Sequence, residues 1–263
     1  MSYVNPDLAG QKAFKLFTSP RNKKITDKQK AWLIKHQKSQ ITIGGQKIKT
    51  YHIPGKGKKI LLAHGWESNA YRWKTYCTYL SELDYDIYLL DAPGHGLTEG
   101  SEFTPHLYAE AMQSICASEK VEILLGHSAG AYAIIMAMSE LDFGPHVSDL
   151  ILLAPTGNFE KMVQQFYKIL SLNKRVRKAF EKICIDRYGH SFAYYNSYNM
   201  IKKIEVKGLL IHDKKDNVLP IEYSHKIHES WKNSQFITFD GHGHRLRSQA
   251  VLDAILNYLK GNQ

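Results

Sequence analysis

Three cysteines in 263 residues, Cys77, Cys116 and Cys184, are odd in number and far apart. Such spacing excludes a disulfide framework and any zinc-ligand pattern, and it suits a reducing compartment. Also missing is an apolar run approaching the roughly 18 residues of a membrane-spanning helix. The stretch Met1 to Asp7 lacks the basic segment and apolar core of a secretory leader. The expectation is a soluble, cytoplasmic protein with no membrane span. Acidic residues are scarce at the front, where residues 1–60 hold Asp7 and Asp27 against fourteen Lys and Arg, an excess larger than the formal +10 of the whole chain. A basic face of that kind can meet an anionic surface or nucleic acid. Without aromatic interleaving or a nucleic-acid motif it reads as a solvated, lysine-rich surface with no specific nucleic-acid partner.

What is present is a rhythm. Apolar strands are predicted at 59–64, 86–91, 122–127, 149–154, 207–212 and 235–240, with helices between and after them at about 70–82, 104–118, 129–141, 221–231 and 247–260. Continuous runs such as Ile60-Leu61-Leu62-Ala63 and Leu150-Ile151-Leu152-Leu153 are the signature of strands buried on both faces, as in a mostly parallel sheet flanked by helices. Ahead of them, residues 7–17 and 26–38 read as helices on the rim of the main body, with Thr26 as an N-cap, and 40–43 with 47–53 as a hairpin at a sheet edge. One stretch breaks the alternation. Residues 156–205 are roughly three times longer than one crossover helix needs, and they carry nine Phe and Tyr and ten Lys and Arg. They are read as a helical cap insertion, with 1–155 and 206–263 forming the core domain and 1–39 its helical extension.

In such a sheet, ligands gather at the carboxyl ends of the strands, and there the chemistry-bearing residues lie. The run Val121 to Leu125, then Gly126-His127-Ser128-Ala129-Gly130, then Ala131-Tyr132-Ala133 describes a strand, a very tight turn with serine at its apex, and a helix. Small residues two positions either side of the serine let strand and helix approach closely. Serine needs a base to take its proton, and an imidazole base needs a carboxylate to orient it. The strand Leu209 to His212 leads into Asp213-Lys214-Lys215-Asp216, and Phe236 to Phe239 leads into Asp240-Gly241-His242-Gly243-His244. Asp213 and Asp216 are the candidate acids, and His242 and His244 the candidate bases.

With His64-Gly65-Trp66, Asp91-Ala92-Pro93-Gly94-His95-Gly96, the Ser128 turn, Asp213 to Pro220 and Gly243-His244-Arg245-Leu246 in that order, residues 46–260 resemble the α/β-hydrolase family. The resemblance implies the α/β-hydrolase fold with an inserted helical cap. It implies Ser128 as nucleophile, His244 as base and later acid, and Asp216 as the orienting carboxylate; a tight-turn role is left for Asp213. Backbone N–H groups of Trp66 and Ala129 would form the oxyanion hole. His64, His95 and His127 come from three separate motifs without an acidic ligand set, so no metal and no cofactor is expected. Serine at the apex points to acyl transfer through an acyl-enzyme and hence to a serine hydrolase, carboxylesterase-like or thioesterase-like, acting on a small or medium acyl substrate. Carbon-carbon bond hydrolysis, acyl transfer and a low-turnover ligand-binding role remain the alternatives on the same residues.

Overall fold

The computed structural model describes residues 5–261, so Met1 to Val4 of the stretch read above for a leader lie outside the described residues. Helices α1 (Pro6–Thr18) and α2 (Asp27–His36) lead into the antiparallel pair β1 (Gln37–Ile43) and β2 (Gln46–Ile53). Strand and helix then alternate through β3 (Lys59–Ala63), a 3-10 turn at Ala70–Trp73 that continues as α3 (Lys74–Glu82), β4 (Asp86–Leu90), α4 (Pro105–Glu119), β5 (Ile123–His127), α5 (Ala129–Glu140) and β6 (Asp149–Leu153). Three helices, α6 (Phe159–Ile169), α7 (Lys174–Tyr188) and α8 (Ser197–Met200), separate β6 from β7 (Lys207–Asp213). The chain closes with α9 (Glu222–Ser230), β8 (Ser234–Phe239) and α10 (Gln249–Lys260).

The eight strands form one sheet in the order β1-β2-β4-β3-β5-β6-β7-β8, antiparallel at the β1 end and parallel from β4 to β8. Alternate residues of each central strand feed opposite cores. Leu61, Leu124, Leu150 and Leu210 pack with α4, α5 and α9 on one face, while Leu62, Leu125, Ile151 and Ile211 pack with α3 and α10 on the other. All eight are fully buried, and at about 1.5–3 kcal/mol each such side chains hold the strands in register. That register aligns the strand ends, with His127 opposite Leu153, Leu153 opposite Ile211, and Asp213 opposite Phe239. The loops after β5, β7 and β8 therefore open on one edge.

Two expectations about the amino-terminal region need correction. The second helix stops at His36 rather than 38, because Gln37 turns extended (φ −62°, ψ 121°) and pairs with Tyr51 of β2. The first does not sit on the rim of the sheet body. Its Ala13 and Phe14 join Val163, Tyr167, Phe180 and Cys184 in a separate apolar cluster between α1, α6 and α7. Gly10 makes the approach possible, since a Cβ there would fall 2.8 Å from the Cβ of Ala179 on α7. Only α2, through fully buried Leu33, packs on the main core.

Candidate active site

Between β5 and α5 the chain reverses over a single residue. Ser128 has φ +54° and ψ −116°, a conformation that costs a side-chain-bearing residue about 1–3 kcal/mol. The surroundings impose it. A Cβ on Gly126 would lie 2.7 Å from the Ala131 backbone, and one on Gly130 would lie 2.4 Å from the carbonyl oxygen of Ala63. The Ser128 amide donates to the Leu153 carbonyl at 2.8 Å, so the turn is anchored to β6 as well. Its hydroxyl is left at the sheet edge, half-buried.

Ser128 Oγ lies 3.0 Å from His244 Nε2, and His244 Nδ1 lies 2.7 Å from Asp216 Oδ2. Hydroxyl donates to Nε2 and Nδ1–H donates to the carboxylate, a chain of hydrogen bonds drawn from three separate loops. Asp216 accepts further from the amides of Val218 (2.8 Å) and Leu219 (2.9 Å), and its Oδ2 is 3.1 Å from His212 Nε2. Burial alone would raise its pKa. The hydrogen bonds from His212, His244 and the two amides outweigh that and hold the carboxyl well below the usual carboxylate range. The other aspartate has a different place. Asp213 takes the amides of Lys215, Gly241 and His242 at 2.8, 3.2 and 2.8 Å, tying the loop after β7 to the loop after β8. The His242 ring rests on Phe239, 5.3 Å between centroids, while fully buried Leu246 anchors the far side of the His244 loop.

Two histidines that the sequence reading assigned no part stand behind this chain. His212, fully buried at the end of β7, has Nδ1 2.6 Å from Ser224 Oγ and Nε2 3.0 Å from the Leu219 carbonyl as well as facing Asp216. An imidazole in an otherwise aliphatic strand must find polar partners, and that was the signal available. His127 Nε2–H donates to the His244 carbonyl at 2.8 Å and so fixes the loop that carries the neighbouring imidazole. Burial, reinforced by the charge of Arg72, pushes the His127 pKa far down and keeps the ring neutral.

The loop after β3 comes against Ser128, since a Cβ on Gly65 would fall 3.1 Å from the serine Cβ. Two neutral imidazoles shape it. His64 Nδ1–H donates to the Gly65 carbonyl at 2.7 Å and its Nε2 accepts the Ala92 amide at 2.9 Å, while His95 Nε2 accepts the Glu67 amide at 3.0 Å. Burial lowers their pKa values to about 3 and about 4. Between these pins the Trp66 ring packs on His95 and Phe103. Among the described residues the amides of Trp66 and Ala129 have no hydrogen-bond acceptor. No group of three or more His, Cys, Asp or Glu among the described residues is placed to hold a metal ion. An apolar cavity of about 770 Å³ opens from Ser128, walled by Phe14 and Phe17 of α1, Phe159 and Phe166 of α6, Tyr188 and Tyr223.

Comparison with known proteins bears on the fold. The model of the alpha/beta hydrolase family matches residues 60–182. Pimeloyl-(acyl-carrier protein) methyl ester esterase of Edwardsiella ictaluri is 33% identical over 111 residues, 41% of each chain, and that of Proteus mirabilis 35% identical over 109 residues, 40% of each. The matched stretch thus spans about two fifths of the length of these curated relatives. Among solved structures, Est1E of Butyrivibrio proteoclasticus with bound ferulic acid superposes with a TM-score of 0.69 at 17% identity, over 85% of this chain and 98% of that one. The esterase EaEST of Exiguobacterium antarcticum superposes with a TM-score of 0.64 at 20% identity, over 84% of this chain and 99% of that one. These likenesses show the α/β-hydrolase fold.

Proposed function

We propose that this chain, an α/β hydrolase by its fold and by the family match over residues 60–182, cleaves carboxylic esters or thioesters through an acyl-enzyme on Ser128. The observation that carries the reading is the unbroken hydrogen-bond series from Ser128 Oγ through His244 to Asp216 at the apex of a strained turn. In this reading Nε2 of His244 takes the hydroxyl proton as Oγ attacks the acyl carbon, and Asp216 holds the ring in the right tautomer and stabilises its cation. The free amides of Trp66 and Ala129 receive the oxyanion. Collapse breaks the bond to the leaving alkoxide or thiolate, which takes the proton from His244. Water then gives a proton to the same nitrogen, attacks the acyl carbon, and releases the acid with Ser128 restored.

Residues 156–205 act in this proposal as a cap on a core formed by 1–155 and 206–263, and the support for it is that α6 and Tyr188 wall the apolar cavity over Ser128. The substrate is accordingly a small or medium acyl compound with an apolar arm. Three unbridged, buried cysteines support placing the reaction in the cytoplasm. A fluorophosphonate probe tests the reading. It should label Ser128, located by mass spectrometry, and Ser128→Ala should abolish both labelling and ester turnover. Failure to label folded protein while a control hydrolase reacts would sink the assignment.

A further inference from the structure

A second recess meets the apolar cavity at Ser128 and has the opposite character. Of about 730 Å³, it shares Trp66, Ser128 and Val218 with the apolar cavity and is otherwise distinct. Its cations are Lys24, Arg72, Lys74, Arg245 and Arg247, and its one acidic lining residue, Glu67, is already engaged by the amides of Arg21 and Asn22 at 2.9 and 3.4 Å. Arg72, in the turn after β3, is only 9% exposed. Its Nη2 donates to the Arg245 carbonyl at 2.9 Å and its guanidinium lies 5.0 Å from the Trp73 ring, while Nε has no acceptor among the described residues. No ion pair to a carboxylate joins Arg72, Arg245 or Arg247 among the described residues. Burial, with Arg247 and Arg245 close by, pulls the Arg72 pKa down to about 9. A buried guanidinium without a counter-ion is costly, and three arginines left unpaired beside a nucleophile await a negative charge from outside the chain.

We propose that this cleft binds a carboxylate or phosphate carried by the substrate, so that the ester joins an apolar arm in one recess to an anionic arm in the other across Ser128. The proposal rests on Ser128 being the reacting centre, as argued above. Arg72 and Arg247 supply charge-assisted donors, and Arg245 and Lys74 line the same recess. Arg72 also pins the loop of His244 through the Arg245 carbonyl, so substitutions at the exposed Arg245 and Arg247 make the cleaner test.

Binding is read on Ser128→Ala protein by calorimetry with two matched pairs, hexyl hydrogen succinate against hexyl butanoate, and hexanoyl phosphoglycerol against hexanoyl glycerol. In at least one pair the anionic member should bind about tenfold tighter or better. Arg245→Gln with Arg247→Gln on the same background should cut that ratio severalfold, Arg72 supplying what remains. Equal or tighter binding of the neutral member in both pairs, or a preference that the double substitution leaves unchanged, overturns the proposal. The pair that responds tells carboxylate on the acyl side from phosphate on the alcohol side. Because no turnover is needed, this result stands apart from the labelling of Ser128.

Discussion

Asp216 is buried and yet strongly favours its ionised form, because two imidazoles and two amides converge on one carboxylate. Its folded pKa lies below the unfolded value of about 3.9, so it adds stability above that pH and loses the contribution as pH falls through and below it. Asp216→Asn should therefore be less stable than wild type at neutral pH but lose less on acidification, so melting temperatures should keep their gap from pH 7 to about pH 4 and draw together only below that. Ester turnover should drop on the order of 10³–10⁴-fold, since an amide does not hold the protonated imidazole. At this scale the sequence was partly legible. Ser128, Asp216 and His244 stood in motifs at strand ends, whereas the roles of His212 and His127 depend on partners from other elements, Ser224 of α9 for one and the His244 carbonyl for the other.

The elements that carry these residues were legible where their burial is uniform. Strands β3 to β8 announce themselves as aliphatic runs because both faces meet helices, and their order at the sheet edge follows from the parallel crossovers. The partner of α1 was hidden, since an amphipathic helix states that it packs but not on what; only Gly10 against Ala179 settles it on α7. The β5 to α5 junction is one of the tight backbone contacts of the fold. At Gly130 a methyl group would meet the carbonyl oxygens of Ala63 and His64 at 2.4 and 2.6 Å, backbone on both sides, with no flexible side chain to yield. Gly130→Ala should thus cost about 3 kcal/mol in urea unfolding, at the upper end of overpacking penalties. Probe labelling of Ser128 should slow in the variant, because the strand end that must shift leads directly into the Trp66 loop.

Across the whole molecule, charge is the property that chain order conceals. Fourteen cations crowd the first sixty residues, yet of these Lys24 alone lines the cleft beside Ser128. The arginines that matter come from the turn after β3 and the loop after β8, brought together because both strands end at the same edge. Two effects then favour an anionic ligand. A formal charge of +10 attracts it from a distance, and that attraction is screened beyond a Debye length of about 10 Å at 0.1 M salt. Contact with the enclosed guanidinium of Arg72 is screened much less. Raising salt from about 20 mM to about 200 mM should hence cut the association rate of hexyl hydrogen succinate or hexanoyl phosphoglycerol severalfold while a substantial part of the affinity preference survives. Stopped-flow binding to Ser128→Ala protein separates the two, and loss of the entire preference in the unsubstituted cleft at about 200 mM would assign it to the diffuse field of the basic chain rather than to the arginines beside the serine.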